Sequence, residues 1–306
     1  MATKSKDDLN ADGDADIIWR NDNGQVVYWM LEGGVYQSGG NVNPSPTGWD
    51  WKIVDVADLN GDGHADIIWR NDSGLVHCWI MRDGIRQSGY DVYGAPIGWD
   101  WNIVDVEDLN GDNHADIIWR QNSGQVVYWL LRDGIYQTGG NVSPSPVGWD
   151  WKIVDVEDLN GDCDADILWR NDSGLVHRWI LKGGIQQDGL NVWDYPVGSD
   201  WKLVDVADFN GDGHADILWR HDSGQVHCWG LYHGIRQGGF NVLGPVGWDW
   251  HIVGVKSLNG DSHADILWRH DSGLLVNWIL SDGIYQSGAK VFDSPIGWDW
   301  KTVRAK

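Results

Sequence analysis

The chain has 306 residues, with 45 Asp and Glu against 22 Lys and Arg, for a net charge of −23. So acidic a chain excludes a nucleic-acid partner, which needs a basic footprint. No apolar run approaches the ~18 residues of a membrane-inserting span, and three cysteines, Cys78, Cys163 and Cys228, one per separate repeat, do not make a disulfide framework.

The first predicted element is an acidic loop. Asp8, Asn10, Asp12 and Asp16 set side-chain oxygens at positions 1, 3, 5 and 9, and an apolar run follows at residue 17. The same stretch returns at Asp58, Asp108, Asp158, Asp208 and Ser257, spaced by 50 residues except for one step of 49. A fixed period of this length marks a repeat architecture, in which each unit buries its faces against its neighbours. The units run 8–57, 58–107, 108–157, 158–207, 208–256 and 257–306, within one predicted domain, 1–306.

The second unit shows the elements. Residues 51–56 (WKIVDV) alternate and are rich in β-branched side chains, a first strand. The acidic loop spans 58–66, and 66–70 (DIIWR) is a second strand. Residues 71–74 (NDSG) form a tight turn whose Gly supplies the positive φ. A third strand covers 75–81, a turn 82–84, and a weaker fourth strand 85–92; residues 93–100 connect to the next unit. Nothing has helical periodicity. The prediction is all-β: a six-bladed β-propeller of four-stranded antiparallel blades.

The first unit lacks its first strand, and the C-terminus supplies one. Residues 298–303 (WDWKTV) match 49–54 (WDWKIV), so the last strand is expected to pair with the strand starting at Asp16, leaving no open sheet edge. The units also pair up. Residues 24–51 match 124–151 at 21 of 28 positions but 74–101 at only 13, so alternate blades should differ.

The acidic loops have the chemistry of a hard-cation site. Calcium takes six to eight oxygens, and each loop offers four side chains plus the carbonyl of position 7. The candidate ligands are Asp8, Asn10, Asp12 and Asp16; Asp58, Asn60, Asp62 and Asp66; Asp108, Asn110, Asp112 and Asp116; Asp158, Asn160, Asp162 and Asp166; Asp208, Asn210, Asp212 and Asp216; and Asn259, Asp261 and Asp265. Position 12 is Trp69, not a bidentate Glu, and the flanks are strands, so this is no EF-hand. Six copies at one spacing argue against mere tight turns.

This pattern, Asp-x-Asn-x-Asp-Gly-x-x-Asp between two strands, resembles the calcium loop of the FG-GAP/VCBS repeat family, which includes the integrin α propeller and secreted bacterial and fungal propellers. The likeness spans residues 8–303. It implies a propeller with calcium in its loops. Gly at position 6 gives way to Asn113, Cys163 and Ser262, and Ser257 costs the last loop a carboxylate, so five strong sites and one weak one, at Ser257–Asp265, are expected. Four of the histidines, His64, His114, His214 and His263, stand at position 7, where the side chain should point outward.

The chain has 24 tryptophans. The in-strand pair, Trp69 and Trp79, should wedge blades together. A Trp-Asp-Trp motif begins at Trp49, Trp99, Trp149, Trp248 and Trp298, with Ser199 in place of its first Trp in the remaining copy. In an up-and-down blade this motif shares one rim with the turn between strands two and three, opposite the acidic loops. The same rim gathers Arg20, Arg70, Arg120, Arg170, Arg220 and Arg269, and Asp22, Asp72, Asp172, Asp222 and Asp271. Two expectations stand side by side. The exposed indole, with Asp and Arg beside it, is a saccharide platform, and the Ser199 junction the poorest of the six. Alternatively an Arg–Asp salt bridge pins the connection.

The copies are too alike to make one catalytic centre, so no enzyme is expected. The leading expectation is a calcium-containing multivalent lectin for glycans or glycoconjugates, since some fungal propeller lectins that this chain resembles also bind sugars between blades. A protein-interaction scaffold of the integrin type is the alternative, and a polysaccharide-cleaving enzyme a more distant one. Residues 1–6 hold no apolar core of a secretory leader, while calcium loops suit an extracellular or non-classically secreted protein.

Overall fold

A computed structural model describes residues 6–43, 48–143 and 147–303. Six four-stranded antiparallel sheets follow one another, and among the described residues there is no helix. The fold is a six-bladed β-propeller. The described residues fall into two compact units, one within Met1–Asp58, Asp62–Pro96 and Val246–Lys306, the other within Leu59–Gly61 and Ile97–Pro245.

In the first unit, Trp51–Ala57, Asp66–Asn71, Val76–Arg82 and Ile85–Asp91 make the second blade in order. Trp250–Lys256, Asp265–His270, Leu275–Ser281 and Ile284–Lys290 make the sixth. The first blade is Ile17–Asn21, Val26–Glu32 and Val35–Asn41, with Trp300–Thr302 as its innermost strand. The register Trp19↔Thr302 and Asn21↔Trp300 is the expected C-terminal pairing.

The second unit holds blades three and four, whose inner strands are Trp101–Glu107 and Trp151–Glu157. Its fifth blade departs from the pattern. There the third strand, Val226–Trp229, stops early, and Leu231–Tyr232 pairs with Ile235–Arg236 as a separate two-stranded ladder. Gly230, Gly238 and Gly239 interrupt this stretch, and glycine weakens a strand interior.

The second strand of each blade is buried on both faces. Ile67, Ile68 and Trp69 are inaccessible, which explains why its sequence is a continuous apolar run rather than an alternation. The in-strand tryptophans meet as expected: the Trp69 and Trp79 centroids lie 4.6 Å apart, and Trp169 and Trp179 4.7 Å apart. Alternate blades do differ. Tyr28 and Tyr128 lie under the turns at Gly84 and Gly184, where an added Cβ would come within 2.5 Å of the ring. The corresponding neighbours of Gly34 and Gly234 are Asn277 and Arg178.

Candidate functional site

The acidic loops sit between strands one and two, at the end of the blade away from the turn after strand two. Each loop is wound on its own carboxylates. Asp8 Oδ1 accepts the N–H groups of Asn10, Ala11 and Asp12 at 3.2, 2.7 and 3.3 Å, and Oδ2 that of Gly13 at 2.8 Å. Asn10 Oδ1 accepts from Asp12, and Asp12 Oδ1 from Asp14. Position 6 lies in the left-handed region in every loop, and Asn113, Cys163 and Ser262 adopt it at φ 65°, 67° and 69°.

Position 9 is the buried member. Asp16 Oδ1 accepts from Leu31 N at 2.8 Å and Oδ2 from Leu9 N at 2.9 Å, so one carboxylate ties the loop to strand three. Burial first, and then the nearby carboxylates Asp12 and Asp8, push the Asp16 carboxyl up to about 7. Burial likewise pushes Asp116 and Asp166 up to about 8, and Asp216 and Asp265 to about 7. Asp216 Oδ2 is buried with no hydrogen-bond partner of good geometry. The donor set is entirely hard oxygen. Among the described residues no group of three or more His, Cys, Asp and Glu side chains converges on a metal position, the loop oxygens being turned onto their own N–H groups.

The side chains at position 7 do not point outward. His64 is buried with Nδ1 2.9 Å from the Leu9 carbonyl oxygen of the preceding loop, and His114 Nδ1 lies 3.0 Å from that of Leu59. A carbonyl only accepts, so the His64 ring donates from Nδ1; at His114 the Asp133 N–H also approaches Nδ1, at 3.4 Å. Where Asp stands at this position it holds the turn after strand three: Gly33 N donates to Asp14 Oδ2 and Gly183 N to Asp164 Oδ2. The histidine links were hidden in the sequence because they join residues 55 apart, while the aspartate links span 19.

At the other end, the connection and the turn after strand two share a rim, as the topology requires. Asp72 N donates to Asp50 O, and Val147 N to Gly124 O. The first Trp of the motif is strongly exposed: Trp49 is 74% exposed, Trp149 65% and Trp298 46%. The Asp of the motif reaches the last residue of strand two. Asn21 Nδ2 donates to Asp299 Oδ2 at 2.7 Å and Gln121 Nε2 to Asp100 Oδ2 at 2.7 Å, while His221 and His270 sit 2.8 Å from Asp200 and Asp249. That polar partner, seen at four strand-two ends, was overlooked in the sequence, where the Asp of the turn (Asp22, Asp72, Asp172, Asp222, Asp271) took its place. Those turn carboxylates meet a basic side chain instead, as Asp172 meets Lys152 at 2.9 Å.

The expected Arg–Asp salt bridge is not what pins the connection. Arg170 Nη1 donates to Trp201 O, and Nη2 to Val197 O and Gly198 O. Arg269 repeats the trio with Trp300, Ile296 and Gly297. Each guanidinium also lies over a strand-two Trp of the next blade: Arg20 over Trp69, Arg120 over Trp169, Arg170 over Trp219 and Arg269 over Trp19, at 5.1–5.5 Å. Arginine fits this task because its planar fork can bond and stack at once. Arg20, Arg120, Arg170 and Arg269 thus brace neighbouring blades, and the tryptophans with their acid–amide neighbours make up the exposed rim. A groove of about 300 Å³ beneath this rim is lined by Trp101, Trp129, Tyr136 and Asn141.

A family scan finds the FG-GAP-like repeat four times, at residues 8–69, 58–119, 108–169 and 158–219. Together these cover more than half of the chain. The chain belongs to the FG-GAP-like repeat family. The FG-GAP-like matches take in the five loops starting at Asp8, Asp58, Asp108, Asp158 and Asp208, and stop before the divergent one at Ser257. A search of curated proteins returned no match. Among solved structures, the C-terminal WD40 domain of Sif2 is similar at 16% identity, a TM-score of 0.40, 96% of this chain and 75% of that one.

Proposed function

We propose that this FG-GAP-like propeller is a multivalent carbohydrate-binding protein whose acidic loops hold calcium. One observation carries the sugar assignment: the first Trp of the motif stands exposed at Trp49, Trp99, Trp149, Trp248 and Trp298. An indole offers an apolar face for sugar C–H groups and the flanking Asp, Asn and Gln side chains suit hydroxyls. Weak equivalent sites on one molecule reach useful strength by avidity on dense glycans.

For calcium, Asp58, Asn60, Asp62 and Asp66 with the carbonyl of His64 would hold the ion, and the same positions in the other loops. The oxygens that accept N–H groups keep second lone pairs for a cation. A cluster of carboxylates, one of them pushed toward neutrality first by burial and then by its charged neighbours, as Asp16 is, gains most from a nearby positive charge. Bound calcium would supply charge neutralisation and loop rigidity, remote from the sugar. A glycan array run with and without chelator tests the whole assignment. Binding to sugars that survives mild chelation and fails only as the fold melts supports it, and silence on the array rejects it. A second function, a protein-interaction scaffold, draws on the exposed Ile85, Ile135, Ile185 and Ile284 at the start of the outer strands.

A further inference from the structure

The Trp298 and Ser199 junctions are built on the same plan with one side chain changed. At Trp298 the indole closes over a cradle. Its Nε1 donates to the Asp271 carbonyl at 2.7 Å, its ring centroid lies 4.1 Å from the Arg269 guanidinium carbon, and His251 meets its edge at 5.8 Å. Arg269 thus carries two indoles, Trp298 and Trp19, and is 2% exposed.

Ninety-nine residues earlier the cradle is repeated without its indole. Arg170 is fixed by the same three carbonyls and lies over Trp219, the counterpart of Trp19. Asp172 stands for Asp271, Val197 for Ile296 and Lys152 for His251, but Ser199 stands for Trp298. A cavity of about 310 Å³ opens there, lined by Arg170, Asp172, Val197, Ser199, Lys152 and Lys202. Arg170 is half-buried, as are Arg20 and Arg120, whereas Arg269 beneath Trp298 is fully buried.

We propose that the Ser199 cavity is a binding site for a planar aromatic group carrying an N–H donor, of which an indole is the type. The ring stacks on the Arg170 guanidinium, and its N–H donates to the Asp172 carbonyl. Lys152 pairs with Asp172 and Lys202 with Asp222, at 2.9 and 4.0 Å, and the remaining N–H donors of the two ammonium groups suit a ligand with an anionic substituent. The volume lies at the lower end of the usual small-molecule range, about 300–1,000 Å³. At the Trp298 junction the tethered indole sits in its own cradle and competes with any free one; Trp49 and Trp149 protrude beside theirs, and the Ser199 junction has no indole. This site takes a different ligand from the sugar platforms, and the two can fail separately.

The test is 19F NMR of 5-fluoroindole and of 5-fluoroindole-3-acetate with the intact protein. Saturable broadening is expected, tighter for the acetate. Ser199→Trp restores the repeat's own side chain, should fold at least as well, and should weaken binding by about tenfold or more, the worth of one cation–π contact with one hydrogen bond. Trp298→Ser should add one bound equivalent by opening a second cradle. Absence of broadening with the unaltered protein, broadening unchanged in Ser199→Trp, or no added equivalent in Trp298→Ser would each overturn the proposal.

Discussion

His64 Nδ1 lies 2.9 Å from the Leu9 carbonyl oxygen, a hydrogen bond between consecutive acidic loops that joins residues 55 apart. The ring is buried, so its loss leaves a buried acceptor unpaired as well as a gap. His64→Ala should lower unfolding free energy by about 1–3 kcal/mol, read as a lower urea midpoint with an unchanged slope. His214, whose Nδ1 has no such acceptor and whose ring instead meets Tyr232 and His233, serves as the control. If His214→Ala costs as much as His64→Ala, the inter-loop bond is not the source.

Gly84 carries a second inter-blade contact within the same unit. Its φ is +71°, and an added Cβ would meet the Tyr28 ring at 2.5 Å. Both the left-handed backbone and the overlap penalise a side chain, so Gly84→Ala should cost about 2–4 kcal/mol. Gly33 has φ +56° with nothing within 4 Å of the added atom, so Gly33→Ala should show the backbone cost alone. Thermal melts of the two variants separate the terms, and equal losses would remove the role given to Tyr28.

Positions 5 and 9 of the acidic loop should respond differently to calcium. Asp116 is fully buried and accepts Leu131 N at 2.7 Å and Leu109 N at 3.2 Å. Asp116→Ala strands two buried N–H groups and should cost about 2–5 kcal/mol even in chelator. Asp112 is exposed and accepts a single N–H, from His114 at 3.0 Å. Asp112→Ala should be nearly silent in chelator, within about 0.5 kcal/mol, and should remove the extra stability that calcium gives. Calorimetry of the chelator-treated protein should show five strong sites and a weaker one at Ser257. No heat of calcium binding in the unaltered protein would reject the calcium proposal.

Much of the fold could be read from residues. The period fixes the blade count, the apolar run of strand two announces burial on both faces, and residues 298–303 match the missing first strand of the first blade. The site was less legible. Arg170 has the same sequence context whether it pairs with Asp or reaches three backbone carbonyls, because backbone acceptors leave no trace in side-chain identity. His64 looked like a surface residue because its partner, Leu9 O, is also backbone. The Ser199 substitution was visible, but as a lost platform. That it opens a lined cavity depends on how Trp298 folds back onto Arg269, a matter of rotamer rather than pattern.

The rim tryptophans allow a test in which binding and stability separate. Trp49 and Trp149 protrude, at 74% and 65% exposure, so their replacement by Ala should change stability by no more than about 0.5 kcal/mol. Each replacement should remove one sugar site, and binding to a dense glycan surface should fall more steeply than the count of sites, because avidity multiplies individual affinities. Trp298 behaves differently, since its indole covers Arg269 and bonds the Asp271 carbonyl. Trp298→Ala should therefore lower the melting temperature as well as remove a site. The measurement is surface binding and thermal melting of Trp49→Ala, Trp149→Ala, Trp298→Ala and the variant lacking all five rim indoles. A five-fold variant that melts cooperatively yet still holds to the glycan surface would show that the sugar does not rest on the indoles, and the carbohydrate assignment would have to move to the groove beside Trp129 and Tyr136.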